Sequence, residues 1–350
     1  MIKRTRAELN KCIIHKVANK YNSGQNAFSE SLVRFDEESY ELLLPFLLKP
    51  FGSVTQSYRF NHHADVRLNE INKYSADIFE NEDSFIEHSR NIVNHLYEQS
   101  NSANIKTGDV IIAYFEGLEY RDVLVEAVGI FKIESKVDFF QTYLDEEDSY
   151  DVVVQKGIST KKLDKGCLIL NTSDVEGTVV LSVDNNNYDA QYWIKNFLNV
   201  KYADDRNLHT QNYLELCKEF SEEVIKPEFG KQEQSSFLAN TVDYFKEHES
   251  VDYHSFKDDV FAEDKHKDMF EDYKKHFEKL NDVLIRNNFD VSDAVLKKEK
   301  SRLKTEIKLD TNIQIKIDVD APDAPSEYLE RGYDEDKKMK FYKIYFNTEK

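Results

Sequence analysis

The chain has 350 residues, 66 of them acidic against 47 Lys plus Arg, for a formal net charge of −19. Duplex DNA is a dense polyanion bound non-specifically through basic residues, so a uniformly basic, histone-like coat is excluded, and any nucleic-acid contact needs a local basic patch or a protein partner. With 40% hydrophobic residues, 23 Phe, 20 Tyr and only 5 Pro, wholesale disorder is excluded as well, and the length suits two domains.

Residues 11–21 alternate loosely and predict a strand ending at the turn signal Asn22-Ser-Gly24, with a second strand over 27–35 paired to it. Asp36 is the expected N-cap of a helix from Glu37, favoured by acids in its first turn. Pro45 inside the apolar run predicts a kink or two short pieces. Ser84-x-x-Glu87 matches a capping box, and Phe85, Ile92 and Leu96 recur at helical spacing, so that helix should lie on a sheet. From Lys106 the pattern changes to short β-rich runs over 110–115, 123–133, 150–155, 167–170 and 178–183. Their separations suit hairpins rather than βαβ crossovers, which predicts an antiparallel sheet closing near residues 192–200.

Segments 210–225, 232–247, 255–261 and 263–280 are then dense in charge, with apolar residues three and four apart; Phe270, Tyr273, Phe277 and Leu280 form the clearest helical stripe. Strands over 311–319 and 340–346 end the chain, flanking the polar stretch 320–337. The expected class is α+β: residues 1–200 an antiparallel sheet with helices, and residues 205–350 a mainly helical domain with a terminal strand pair.

Cys12, Cys167 and Cys217 are far apart with no C-x-x-C pair, as expected in a reducing cytosol. The start of the chain has no apolar signal region, and no apolar run approaches the roughly 18 residues needed to span a bilayer, so secretion and membrane insertion are not expected.

The candidate chemistry is sparse. His62-His63-Ala-Asp65 groups metal-ligand types, but adjacent histidines of an extended segment point to opposite faces, which reads as a surface loop. His88 and His95 lie seven apart and read as helix-surface residues, unlike an i,i+4 ligand pair. The acidic runs Asp145-Glu-Glu-Asp148, Asp258-Asp259 and Asp334-Glu-Asp336 would serve a two-metal nuclease only if they converged from separate elements; solvated loops account for them, and a turn capping the last strand accounts for Asp334. No Walker loop, Rossmann fingerprint, nucleophile elbow or H-E-x-x-H occurs. No catalytic residue, metal ligand or cofactor is expected.

The sign of the charge reverses in one segment, where Lys297, Lys298, Lys300, Arg302, Lys304 and Lys308 face two acids in twelve residues. If helical from about Ser292, it sets Lys297, Lys300 and Lys304 along one side as a phosphate-facing stripe. Lys337, Lys338, Lys340 and Lys343 form a second basic group that can join it in space, although basic stretches are more often ordinary solvated faces. In Phe341-Tyr-Lys-Ile-Tyr-Phe346 alternation suggests one face in a core rather than rings stacked on bases.

Two terminal blocks carry a resemblance. One is Cys12-Ile-Ile-His-Lys-Val-Ala-Asn19 with Leu42-Leu-Leu-Pro-Phe-Leu-Leu-Lys-Pro-Phe51. The other is Ile307-Lys-Leu-Asp310 through Ile317, with Arg331-Gly-Tyr-Asp-Glu-Asp336 and Met339-Lys-Phe-Tyr-Lys-Ile-Tyr-Phe346. Together with Gly108-Asp-Val-Ile-Ile-Ala-Tyr-Phe115 and Tyr192-Trp-Ile-Lys-Asn-Phe-Leu198, the chain from about residue 10 onward resembles the bacterial nucleoid-associated NdpA/YejK family of 37-kilodalton nucleoid proteins, in its longer, Bacteroidetes-like form. The match is one of order and spacing, without a catalytic signature.

The resemblance implies a non-enzymatic, cytoplasmic protein at the nucleoid, associated with DNA or with the DNA topoisomerases that act on it. An acidic body with one basic surface should bind DNA modestly and in a salt-sensitive way. Two rivals stand beside this reading: an acidic adaptor that binds a topoisomerase or other basic protein without touching DNA, and a metal-dependent nuclease built on the acidic runs. Oligomeric state is left open.

Overall fold

Residues 110–115 are apolar without interruption because their strand is buried on both faces. The computed structural model describes residues 2–144, 149–172, 178–186, 191–303, 305–317, 328–346 and 348. The chain divides into two compact units, Met1–Ala203 and Asp204–Lys350. The fold is α+β.

The first unit is built on an eight-stranded sheet: β1 (Ile2–Lys3), β2 (Glu8–Val17), β3 (Tyr58–Phe60), β4 (Gly108–Tyr120), β5 (Val123–Ile133), β8 (Lys165–Leu170), β9 (Val179–Asp184) and β10 (Val200–Tyr202). All pairings are antiparallel, in the order β1-β4-β5-β8-β9-β3-β10, with β2 also on β4. Among the described residues, a separate hairpin of β6 (Val137–Leu144) and β7 (Tyr150–Gly157) completes the strands of this unit.

Alternation along β4 sends Val110, Ile112 and Tyr114 into one core and Ile111, Ala113 and Phe115 into the other. The first core is roofed by α2 (Glu70–Glu80) and α3 (Phe85–Glu98), through Ile71, Ile78, Ile92 and Leu96. The second is roofed by α1 (Glu37–Leu48) and the 3-10 turn Lys49–Ser53, through Leu47, Leu48 and Phe51. Each fully buried aliphatic side chain of this kind is worth about 1.5–3 kcal/mol relative to exposure.

Several local expectations change. The segment 27–35 does not form a strand: it meets β2 only at the Lys16–Ala27 bridge and through Val33 N to Cys12 O at 2.8 Å. Polar side chains take over the edge instead, as Ser29 Oγ donates to Ile14 O and Ser29 N donates to His15 Nδ1. Asp36 caps α1 as expected, accepting from Ser39 N at 2.8 Å. The helix runs unbroken across Pro45 and changes to a 3-10 turn only at Lys49, with burial of Phe46, Leu47 and Leu48 offsetting the lost backbone bond.

Ser84 makes no side-chain cap, because the chain turns in one step earlier. Asn81 accepts from Asp83 N, and Ser84 already has helical dihedrals. Helix α2 was not expected; Asn69 caps it and its buried amide also donates to Leu198 O at 3.0 Å. Residues 191–197 form a wide π-type turn that buries Trp193, whose Nε1 donates to Ser182 Oγ at 3.0 Å.

In the second unit Asp205 caps α4 (Arg206–Phe220), which passes through a π turn, Ser221–Ile225, into α5 (Lys226–Phe229). α6 (Lys231–Glu247), α7 (Tyr253–Val260), α8 (Asp264–Asn281) and α9 (Asp293–Glu299) follow, with a small pair, β11 (Ser250–Asp252) and β12 (Asn288–Asp290). Their core is aromatic: Phe220 meets Phe270 edge-on at 5.1 Å, and Phe237 stacks on Phe261 at 5.2 Å. Such pairs are worth about 0.5–1.5 kcal/mol beyond the area they bury. Phe270 and Phe277 of the expected stripe are buried, while Leu280 is exposed.

The terminal strands do not pair with each other. β13 (Thr305–Lys308) pairs with β14 (Gln314–Ile317), and β15 (Leu329–Asp334) with β16 (Met339–Ile344). Two tight turns decide this, with positive φ at Asn312 and at Lys338. Ile307, Ile317 and Leu329 form a satellite core joined by Tyr342. The core expected beneath the last strand is limited to that ring, as Phe341, Ile344, Tyr345 and Phe346 are exposed.

Candidate nucleic-acid interface

A groove of about 680 Å³ opens in the second unit. Its wall carries Lys226, Lys231, Lys308, Arg331, Lys338 and Lys340, with Asp310 as the one carboxylate. These cations come from α5, the start of α6, β13, β15, the turn before β16, and β16 itself.

Gly230 sets one end of the groove. Its φ of +90° with ψ of 178° lies in a region that only glycine occupies readily, and it lets α5 stop and α6 start on either side of one residue. No side chain caps α6 there, so the positive end of a seventeen-residue helix adds to Lys226 and Lys231 instead of opposing them. Arg331 lies against the same glycine: Nη1 sits 3.4 Å from where a Cβ would be. Lys231 Nζ donates to Glu306 O at 2.7 Å, which ties α6 to β13. Glu306 also holds Lys308 at 3.2 Å. On the far side, Asp334 Oδ1 accepts from Asp336 N and Lys337 N at 3.0 and 2.9 Å, so this acid builds the turn that presents Lys338. Six cations against Asp310 on the wall, with Glu306 paired to Lys308 and Asp334 tied to the turn amides, leave an excess of positive charge that favours anions such as phosphate.

Of the residues anticipated from the sequence, the groove gathers Lys308, Lys338 and Lys340. Lys343 sits on β16 but is held by Tyr345 and by Glu330 at 3.6 Å, which raise its pKa above the ordinary lysine value. The long helical stripe is not built. α9 ends at Glu299, which leaves Lys297 and Lys298 exposed on its last turn, and Lys300 and Arg302 on a 3-10 turn. Arg302 Nη1 donates to the buried Glu299 Oε2 at 2.8 Å. Lys304 lies outside the described residues.

Lys226, Lys231 and Arg331 escaped the sequence reading. Two signals were present: the Pro227-x-x-Gly230-Lys231 helix break, and the Arg331-Gly332 pair.

The other candidates resolve locally. His62 Nδ1 faces the Ala64 and Asp65 amides at 3.3 Å, its ring lies 4.3 Å from that of His63, and Asp65 pairs with Arg67 at 2.6 Å. His88 leans on Tyr74 and Asp77, while His95 bonds Phe197 O at 3.0 Å. Asp258 pairs with Lys267 at 2.8 Å. The acids at 145–148 lie outside the described residues. Among the described residues no group of three or more His, Cys, Asp or Glu is placed to hold a metal ion, and no helix is long and apolar enough to cross a membrane.

No curated protein matches this chain. Residues 13–340, which take in most of the sheet, the aromatic helical core and most of the groove, match the family model described as nucleoid-associated protein YejK, and the chain belongs to that family.

Proposed function

We propose that this chain is a non-enzymatic nucleoid-associated protein that holds the phosphate backbone of DNA in the cationic groove of its second unit. Family membership supports a nucleoid-associated role and a location at the nucleoid in the cytoplasm. The observation that carries direct contact is the convergence of six cations on one groove in a chain of net charge −19. Each phosphate neutralised there releases counterions and carries no base information, so binding should be salt-sensitive and indifferent to sequence.

The test is an anisotropy titration of labelled duplex across a salt series. Lys226→Gln, Arg331→Gln and Lys340→Gln together should flatten the salt slope by up to about three units. Unchanged affinity and slope in the folded triple variant would remove direct contact. The acidic adaptor would then lead, since the same net charge suits a basic partner such as a DNA topoisomerase.

Plasmid incubated with Mg²⁺ or Mn²⁺ should stay intact. Nicking that disappears with Asp334→Ala or Asp258→Ala would establish the nuclease reading instead.

A further inference from the structure

The hairpin of β6 and β7 carries a run of exposed apolar side chains on one face. These strands pair only with each other, and none of their side chains joins a buried core cluster. A two-stranded hairpin by itself is marginally stable in water, and monomeric proteins rarely expose apolar patches beyond a few hundred Å².

The register sets Phe140 opposite Val154, Thr142 opposite Val152 and Leu144 opposite Tyr150, all on one face. Phe140 is 76% exposed, Tyr150 74%, Val154 62%, Val152 59% and Leu144 51%. The opposite face is partly self-covered: a Cβ on Gly157 would lie 2.8 Å from the Phe139 ring, so that ring closes over the glycine.

We propose that the Phe140 face is a self-association surface, covered in solution by the same face of a second copy of this chain. The five large side chains present roughly 600 Å² per copy, from about 150–250 Å² for each aromatic side chain and less for each aliphatic one. Two such faces bury roughly 1,200 Å², the lower bound of specific, stable interfaces.

The face is also complementary to itself. A two-fold axis across the strands at the central row sets Phe140 against the second copy's Leu144, and Val154 against its Tyr150, so a larger ring meets a smaller aliphatic group each time. Thr142 and Val152 then meet their own equivalents.

Sedimentation velocity of the full chain at micromolar concentration should show a dimer, and Phe140→Asp should give a monomer that keeps the wild-type circular-dichroism spectrum, since the side chain joins no core of its own chain. Cross-linking then tests the geometry. The native cysteines are buried, so an introduced thiol is the accessible one. Val152→Cys should form a covalent dimer with a short bismaleimide. Lys156→Cys should not, because the two equivalents lie about 27 Å apart along the strands at roughly 3.4 Å per residue. A monomeric wild type, a dimer that survives Phe140→Asp, or cross-linking at position 156 but not 152 would each overturn the proposal.

Discussion

Two groups of cations, one in each unit, have opposite surroundings. In the first, Lys132 and Lys165 are buried: Lys132 Nζ bonds Glu134 Oε1 at 2.8 Å and Lys106 O at 2.7 Å, and Lys165 Nζ bonds Asp184 Oδ2 at 2.6 Å. Asn186 Nδ2 joins Glu134 to Asp164, and Asp164 accepts the Glu134 and Ser135 amides. Burial lowers the Lys132 pKa despite the nearby Glu134 carboxylate. In the second unit Lys226, Lys308, Arg331, Lys338 and Lys340 are exposed around a groove. A lysine whose charge is fully satisfied inside the chain is a packing element; one whose neighbours are other cations is available to an external anion.

That contrast can be broken most sharply at Glu134. Glu134→Ala should cost about 3–5 kcal/mol in urea unfolding by stranding a buried ammonium, and the Lys132→Met/Glu134→Leu double variant should recover most of it. A loss below about 1 kcal/mol would mean that the buried network is not structural.

The next effect is acid sensitivity of the first unit. His15 Nδ1 accepts the Ser29 amide at 3.0 Å, so the neutral ring carries its proton on Nε2, 2.9 Å from Ser89 Oγ, which in turn donates to Ile86 O. Burial, then the Arg90 charge, lowers its pKa from 6.5 to about 4. The unfolded chain takes up that proton first, so the stabilisation is complete above pH 6.5 and is lost as pH falls toward 4, by roughly 3 kcal/mol. His15→Gln should flatten the stability curve between those values. An unchanged slope in the variant would contradict the assignment.

Gly230→Ala comes third, at about 1–2 kcal/mol, because the strain is in the backbone while the added methyl group meets Arg331 at an ordinary distance. A neutral result in thermal unfolding would show that the α5–α6 junction relaxes. The smallest stability effect belongs to the groove. Lys226→Gln, Arg331→Gln and Lys340→Gln should each change stability by less than about 0.5 kcal/mol while each removes about one unit of salt slope. A large loss of stability there would make the groove cations structural, like those of the first unit.

The sequence by itself determined what depends on neighbours along the chain. Alternation and turn residues marked β5 as Val123–Ile133, period and capping marked α1 at Asp36 and α8 with its Phe270 and Phe277, and the order of terminal blocks marked the family. Tertiary structure alone decided what depends on convergence. Lys132 and Lys226 have the same side chain, and no local pattern records that one meets Glu134 in a core while the other lines a groove with Lys231, Lys308 and Arg331. The terminal strands show the same limit. Their alternation predicts strands, but the partner of each was chosen by a tight turn, and only the satellite core decided that Tyr342 packs inward while Phe346 does not. Periodicity reports the conformation of a segment, whereas burial and charge environment are set by residues tens to hundreds of positions away.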